Sequence, residues 1–559
     1  MDKKQMGKWR KMPAAWLMVL LLMGCSSSPE DREAFEADGS VSEAETESSI
    51  EEDEEETEEE NAEEMQEEET EKEDLEEETQ ETDLEEAQEA GNAVLHPVLE
   101  KEWSSVYAEG SSNLLCEGGF SRIGLRDPGY EELKASLTSY NEEKNRIVED
   151  EMTRMEQEAR ALMAGSPYPL AGFSVGYTAQ IERADDRIFS FMEQSSIYTG
   201  GAHGSETITG YAYDSQTGER LELSDVVSDM DGLYEYLIRF LRADPFYREN
   251  LYEEWEDTVG KKVYQETEDG YTYSLQWALA EDGIKIYFSP DEIGPSVMGP
   301  VTVGIHYDEE LMGFAPQYFP VKEKSIWKLG AYEELAMDVD QDGMIENVSY
   351  RNTSGQNGMD QIYTVNVDGQ AVEINCTYGI TNAYIMKNGQ GKAYFYADCQ
   401  SDNDYHYLNI IDLTELKESG ENTNVPTFSH AFYDDVPVDA SSFVLSARGD
   451  LFSTVPVSRQ YYVGEDGKPQ TDESEYTVDR LEVTALQDVP ALTGSSFEKE
   501  AVVPAGTKLY VISSDEASYV TAETEEGAKY RFEVNGEQWP HTIDGTDITE
   551  LFDGLIFAG

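Results

Sequence analysis

The chain has 559 residues, with 118 Asp and Glu against 39 Lys and Arg, a formal net charge of −79. A surface of that sign repels a polyanion, so nucleic acid is excluded as a partner, whereas a cationic partner is drawn toward it. The length beyond the leader and the acidic stretch that follows it suffices for about three domains.

Residues 1–25 carry Lys3, Lys4, Lys8, Arg10 and Lys11, then an apolar run from Ala14 to Leu22, and end in Leu22-Met23-Gly24-Cys25. A basic leader, an apolar core too short to span a bilayer comfortably, and a small residue before a cysteine form a lipobox. Cleavage before Cys25 leaves that thiol as the lipidation site, and two or more acyl chains are enough for stable attachment. The expected location is therefore the outer face of a bacterial cytoplasmic membrane, with the lipid as the contact to the membrane.

Residues 26–93 read as a tether. Between 29 and 90 stand 33 Asp and Glu against Arg32 and Lys72, with Phe35 the lone aromatic residue. Like charges at i,i+4 oppose a helix there, and there is too little apolar surface to offset the entropy of ordering. Fully stretched, such a segment reaches on the order of 200 Å.

Residues 94–214 and 215–325 read as two α+β parts of one module. Leu133, Leu137, Tyr140, Ile147, Val148, Met152, Met155, Ala159 and Leu162 recur mostly at three- and four-residue steps, which predicts a long helix lying on a sheet. Strand-like runs follow at 173–181, 188–197 and 207–213. A helical region at 231–255 is interrupted at Asp244-Pro245, and a hairpin is predicted over 271–288 with its turn at Glu281-Asp282-Gly283. From about residue 330 the pattern changes to short strands and many turns. It predicts a β-rich domain over 326–480 and a small β domain over 481–559, the latter resembling SH3-like barrels. The expected class is thus α+β, a helix-on-antiparallel-sheet module followed by all-β C-terminal domains.

Three groups of residues could carry chemistry. Tyr198, Gly200, Gly201, His203 and Gly204 form a glycine-rich passage around one histidine, which serves either as a tight strand connection with His203 hydrogen-bonded inside or as a ligand or acid–base site. Asp338, Asp340, Asp342 and Glu346, with Gly343 at the sharp turn and the Met344 carbonyl, have the oxygen spacing of a calcium loop, although Ser349 stands where an EF-hand has its bidentate Glu. Cys376 and Cys399 could pair across neighbouring strands, leaving Cys116 over; no zinc-type Cys/His spacing occurs. No catalytic set is assignable, because among so many acids any carboxylate pair is available by chance.

The series YTGGAHG (198–204), YDSQTGERLELSDV (213–226) and EDGIKIYFSPDEIGPSVMGPVTVGIHYDEEL (281–311) resembles, in that order, the RsiV/PdaC-like domain pair. This is the extracytoplasmic module of lysozyme-sensing anti-sigma factors and of a class of peptidoglycan deacetylases. The resemblance covers about residues 100 to 320 and implies a module that binds cell-envelope material or lysozyme-like proteins. The activities of the relatives do not carry over. A mature lipoprotein is expected to lack the cytoplasmic segment that sequesters a sigma factor, and no deacetylase domain with Asp-Asp and His-x-x-x-His ligands is recognisable. The expected function is a surface-anchored, non-enzymatic binding lipoprotein for a lysozyme-like protein or peptidoglycan. The alternatives are an envelope hydrolase using His203 and a nearby carboxylate, or a solute-capturing or assembly lipoprotein.

Overall fold

The structure, a computed structural model, describes residues 93–165, 172–201, 203–268, 270–309, 313–320, 322–353, 361–402, 405–420 and 424–557. The leader with Cys25 and nearly all of the acidic stretch lie outside the described residues. No helix among the described residues is long and apolar enough to cross a membrane.

A five-stranded sheet opens the fold, in the order β1 (Pro97–Tyr107), β2 (Leu114–Leu125), β3 (Phe173–Ala184), β4 (Ile188–Tyr198) and β5 (Ser205–Asp214). Neighbours are antiparallel except β2 and β3, whose parallel pairing aligns Cys116 with Phe173. A parallel pair needs a crossover, and the 35-residue helix α1 (Glu131–Gly165) supplies it. Its predicted stripe is buried at Leu133, Leu137, Tyr140, Val148, Met152, Met155 and Ala159, whereas Leu162 in the last turn is exposed. Beyond Phe120 the strand β2 has no β3 partner, and Asn141 of α1 takes over: its side chain accepts from the Ile123 N–H and donates to the Ile123 carbonyl.

The same helix face carries a charge into the core. Lys144 Nζ lies 2.7 Å from Glu193 Oε1, and Tyr140 donates its hydroxyl to Glu193 Oε2 at 2.6 Å. The ammonium sits 4.8 Å from the Tyr177 ring centre, a cation–π contact, and Phe191 stacks on Tyr211 at 4.7 Å.

The second part holds α2 (Leu223–Val226), α3 (Met230–Ala243), α4 (Pro245–Asn250) and α5 (Trp255–Val263). Asp244 separates α3 from α4, because Pro245 cannot continue a helix but suits a first turn, where the Asp244 side chain accepts from the Phe246 and Tyr247 N–H groups. A small hairpin, β6 (Thr267–Glu268) with β7 (Tyr271–Thr272), precedes a three-stranded sheet of β8 (Gln276–Leu279), β9 (Gly283–Phe288) and β10 (Val301–His306). The predicted single strand from 271 is thus split in two. A Cβ on Gly210 would lie 1.8 Å from the Trp277 carbonyl oxygen, so the bare backbone of β5 is what lets β8 approach.

Apart from short helices, the C-terminal half is all β. A four-stranded sheet (Glu334–Met337, Glu346–Asn352, Gln361–Val367, Gln370–Cys376) packs on a five-stranded one (Ile326–Lys328, Ile380–Lys387, Ala393–Gln400, His406–Asp412, Asn424–Phe428). The strand Ala393–Gln400 is buried on both faces: Phe395 joins one apolar core, while Tyr394 and Tyr396 join the next, under the strands Phe443–Gly449 and Val455–Val463. That explains its unbroken aromatic run, since a middle layer has no solvent face to alternate toward. Cys376 and Cys399 form a disulfide, which joins the two facing sheets rather than neighbours in one. Ten of the remaining strands form one sheet running from Phe443–Gly449 through Tyr476–Ala485 to Lys499–Val503, and Thr542–Ile543 pairs separately with Thr546–Asp547. The strand Tyr476–Ala485 passes through residue 480, so the stretches on either side of that point share one sheet.

The N-terminal module docks on this half along an edge. Leu99 N donates to the Asp434 carbonyl at 2.7 Å and Val436 N to the Pro97 carbonyl at 3.0 Å, while Arg126 Nη2 meets Asp435 Oδ2 at 2.9 Å. The outer edge of β1 is thereby paired at its start, over Pro97–Leu99.

Breaking the Lys144–Glu193 pair tests the first core. Lys144→Ala is expected to cost about 3–5 kcal/mol, because it strands a buried carboxylate, whereas Lys144→Met with Glu193→Leu recovers most of the loss. Urea denaturation of both variants measures this.

Candidate functional site

Among the described residues, Asp338, Asp340 and Glu346 bring one carboxylate oxygen each to within 4.8 Å of one another. The loop is wound by its own side chains: Asp338 accepts from the N–H groups of Gln341 and Gly343, Asp340 from Asp342, and Asp342 from Met344. Glu346, 1 % exposed at the start of its strand, accepts from Val339 N–H. Met344 itself is exposed. The spacing therefore gathers three of the five expected ligands, and Asp342 and the Met344 carbonyl are not in that group.

A partner that sequence reasoning missed sits among them. Lys417, on the helix α6 (Leu413–Ser419), places Nζ 2.8 Å from Asp340, 3.2 Å from Asp342 and 2.7 Å from Glu346. Hydrogen bonds donated to Asp340 and then Glu346 hold the Lys417 ammonium well above its usual range, and the Lys417 contact in turn holds the Asp340 carboxyl below its own. The chain thus supplies a cation to this loop, and a divalent ion would have to displace it.

The glycine-rich segment is the connection of the β4–β5 hairpin. Gly200 and Gly201 have φ of 92° and 108°, and a Cβ on Gly204 would come within 2.7 Å of the Ile197 carbonyl oxygen. His203 is exposed, and its Nδ1 lies 3.1 Å from the carbonyl oxygen of Gly204. The expectation of a histidine hydrogen-bonded inside is corrected here: a hairpin tip beyond the sheet offers no interior to enter. Tyr198 Oη donates to the Gly201 carbonyl at 3.2 Å, tying the tip together. Ala202 lies outside the described residues.

A second site invisible to motif reading lies where three stretches of the chain meet. Arg183 of β3 is 1 % exposed; its Nε bonds Asp185 at 2.7 Å, and Nη1 reaches the Tyr307 hydroxyl and the Tyr318 carbonyl. It lines a cavity of about 50 Å³ together with Glu281, Lys322, Glu323 and Asp439. Burial pushes the Glu281 carboxyl up to about 8; Lys324 and Arg183 oppose the rise, while Asp439 and Asp282 add to it. Burial likewise raises the thiol of Cys116, the free cysteine among the described residues, which makes it a poor nucleophile.

The part of the module that holds α3, α4 and α5 exposes apolar side chains in a region of carboxylates. Phe246 of α4, Tyr252 just after it and Val297 are 53 %, 40 % and 93 % exposed. The two segments are tied side by side: Tyr252 N–H donates to the Ile293 carbonyl, and Asp291 accepts from both the Tyr252 hydroxyl and the Ser296 N–H. Glu249, Glu253, Glu254 and Asp291 are exposed around them.

Two predictions follow from the first two sites. In a Lys417→Ala protein, millimolar calcium is expected to raise the melting temperature more than in the native chain, and Asp340→Ala is expected to remove that response, as scanning fluorimetry would show. For Glu281 the folded carboxyl keeps its proton to about pH 8 while the unfolded one releases it near 4.5, so the native state binds the extra proton in between. Stability contributed by this group is therefore lost as pH rises through that window. Glu281→Gln is expected to flatten the decline, which denaturation at both ends of the window measures.

The family described as "Protein of unknown function (DUF3298)" matches residues 230–308. A solved DUF3298 family member from Bacteroides fragilis is 20 % identical, covers 42 % of this chain and 99 % of its own, and has a TM-score of 0.33. A DUF3298 family protein from Pseudomonas aeruginosa is 17 % identical, covers 40 % of this chain and 97 % of its own, and has a TM-score of 0.27. No curated protein matches. Residues 230–308 therefore constitute a DUF3298 domain, consistent with an RsiV/PdaC-like module.

Proposed function

We propose that the protein is a lipid-anchored, non-enzymatic binding lipoprotein at the outer face of the bacterial cytoplasmic membrane. Its DUF3298 domain would recognise a lysozyme-like basic protein, with peptidoglycan as the second candidate ligand. One observation carries this reading: Phe246, Tyr252 and Val297 stand exposed among Glu249, Glu253, Glu254 and Asp291. Aromatic side chains set among mostly acidic groups, with Arg248 the one exposed cation on the same short helix, form a surface suited to a basic partner, with the apolar centre supplying affinity and the rim supplying steering. The lipobox ending in Cys25 and the acidic stretch behind it supply the location and the reach. The hydrolase alternative has no comparable support, because His203 lies at an exposed hairpin tip where its ring bonds its own neighbour's carbonyl.

Calorimetric titration of the full chain with lysozyme and with soluble cell-wall fragments tests the reading. Binding to lysozyme is expected, with Phe246→Ser and Tyr252→Ser each costing more than about 1 kcal/mol. Absence of binding to both ligands at low salt would refute it, as would a Cys25 found unacylated by mass spectrometry.

A further inference from the structure

A groove of about 600 Å³ opens at the C-terminal sheet, remote in sequence from the DUF3298 domain. Its floor follows from strand register. Tyr519–Glu523 pairs antiparallel with Lys529–Glu533, setting Tyr519 opposite Glu533 and Thr521 opposite Arg531. Alternation then puts Tyr519, Arg531 and Glu533 on one face. The Arg531 guanidinium lies 3.9 Å from the Tyr519 ring centre and 4.2 Å from that of Phe497. Its Nη2 donates to Glu475 at 2.7 Å, and the same carboxylate accepts from the Tyr519 hydroxyl and from Ser513. The floor is thus an aromatic–guanidinium stack whose charge is already balanced.

The walls differ. Glu533 and Asp544 are exposed, and among the described residues neither carboxylate has an ion-pair or hydrogen-bond partner. Beside them, the 535–542 loop is closed by reciprocal backbone bonds between Asn535 and Thr542, at 2.8 and 3.1 Å, which fixes both residues at the rim.

We propose that this groove binds a short extended peptide through its free ammonium groups. Glu533 and Asp544 meet the ammonium groups, Asn535 and Thr542 meet the peptide backbone, and the rings of Phe497 and Tyr519 contact its aliphatic stems. Unpaired carboxylates form charge-assisted bonds to ammonium that are stronger than those to sugar hydroxyls, which favours an amine-bearing peptide over a saccharide. The volume falls in the range of small-ligand sites. The proposal stands apart from the reading of the DUF3298 domain, since it uses another sheet and other residues.

Trilysine and chitotriose are the probes, titrated calorimetrically into the full chain at physiological salt. Trilysine is expected to bind one saturable site, and Glu533→Gln combined with Asp544→Asn to weaken it by roughly tenfold or more without changing the melting temperature. The acidic stretch is present in both proteins, so its own attraction for trilysine cancels in the comparison. Equal affinity in native and variant chains would mean general attraction to an acidic surface and would overturn the proposal. So would the absence of a saturable site, or tighter binding of chitotriose than of trilysine.

Discussion

An acidic chain can bury a charged carboxylate only where it brings a cation to it, and this constraint organises the molecule. The chain has 39 Lys and Arg for 118 acids, yet a scarce cation stands at one buried carboxylate after another. Lys144 meets Glu193, Lys285 meets Glu182, Lys392 meets Asp412, Lys417 meets Glu346 and Arg126 meets Asp435; in each pair the carboxylate side chain is under 9 % exposed. An unpaired buried charge costs several kcal/mol, whereas an exposed one costs little, so cations are used where the penalty is steep and surface acids are left solvated. The same distribution produces the acidic exterior on which any cationic ligand must act.

Glu281 shows what happens where no cation comes close enough. Lys324 pairs with Asp282 and Lys322 with Asp439, and Arg183 is engaged by Asp185. Glu281 is left to shed its charge by holding a proton instead, the other way to accommodate a buried acid. The junction of three chain segments therefore combines fixed ion pairs with one group whose charge depends on pH.

Local patterns were legible in the sequence, and long-range pairings were not. The apolar stripe of α1, the break at Asp244-Pro245 and the oxygen spacing from Asp338 to Glu346 all depend on residues a few positions apart, where helix periodicity, proline geometry and turn chemistry act. Lys417 lies 71 residues from Glu346, and no local pattern links them. The Cys376–Cys399 bond was readable as a possibility, but not as a bridge between facing sheets, because that depends on how two layers stack. The aromatic run at 394–396 similarly signalled core without revealing that its strand is covered on both sides. His203 misled for the opposite reason: three glycines near a histidine also describe a hairpin tip, and only the sheet's extent separates tip from interior.

The pairing of β1 with residues 434–436 has a consequence for the module's autonomy. The family match ends at residue 308, yet the segment that pairs with the start of β1 belongs to the other half of the polypeptide. A fragment stopped at that point would leave the Leu99 N–H and the Pro97 carbonyl without these partners, lengthening the bare rim of β1, and would leave Arg126 without Asp435. Such a rim invites self-association of the isolated module, so the apparent boundary in homology is not a boundary in folding.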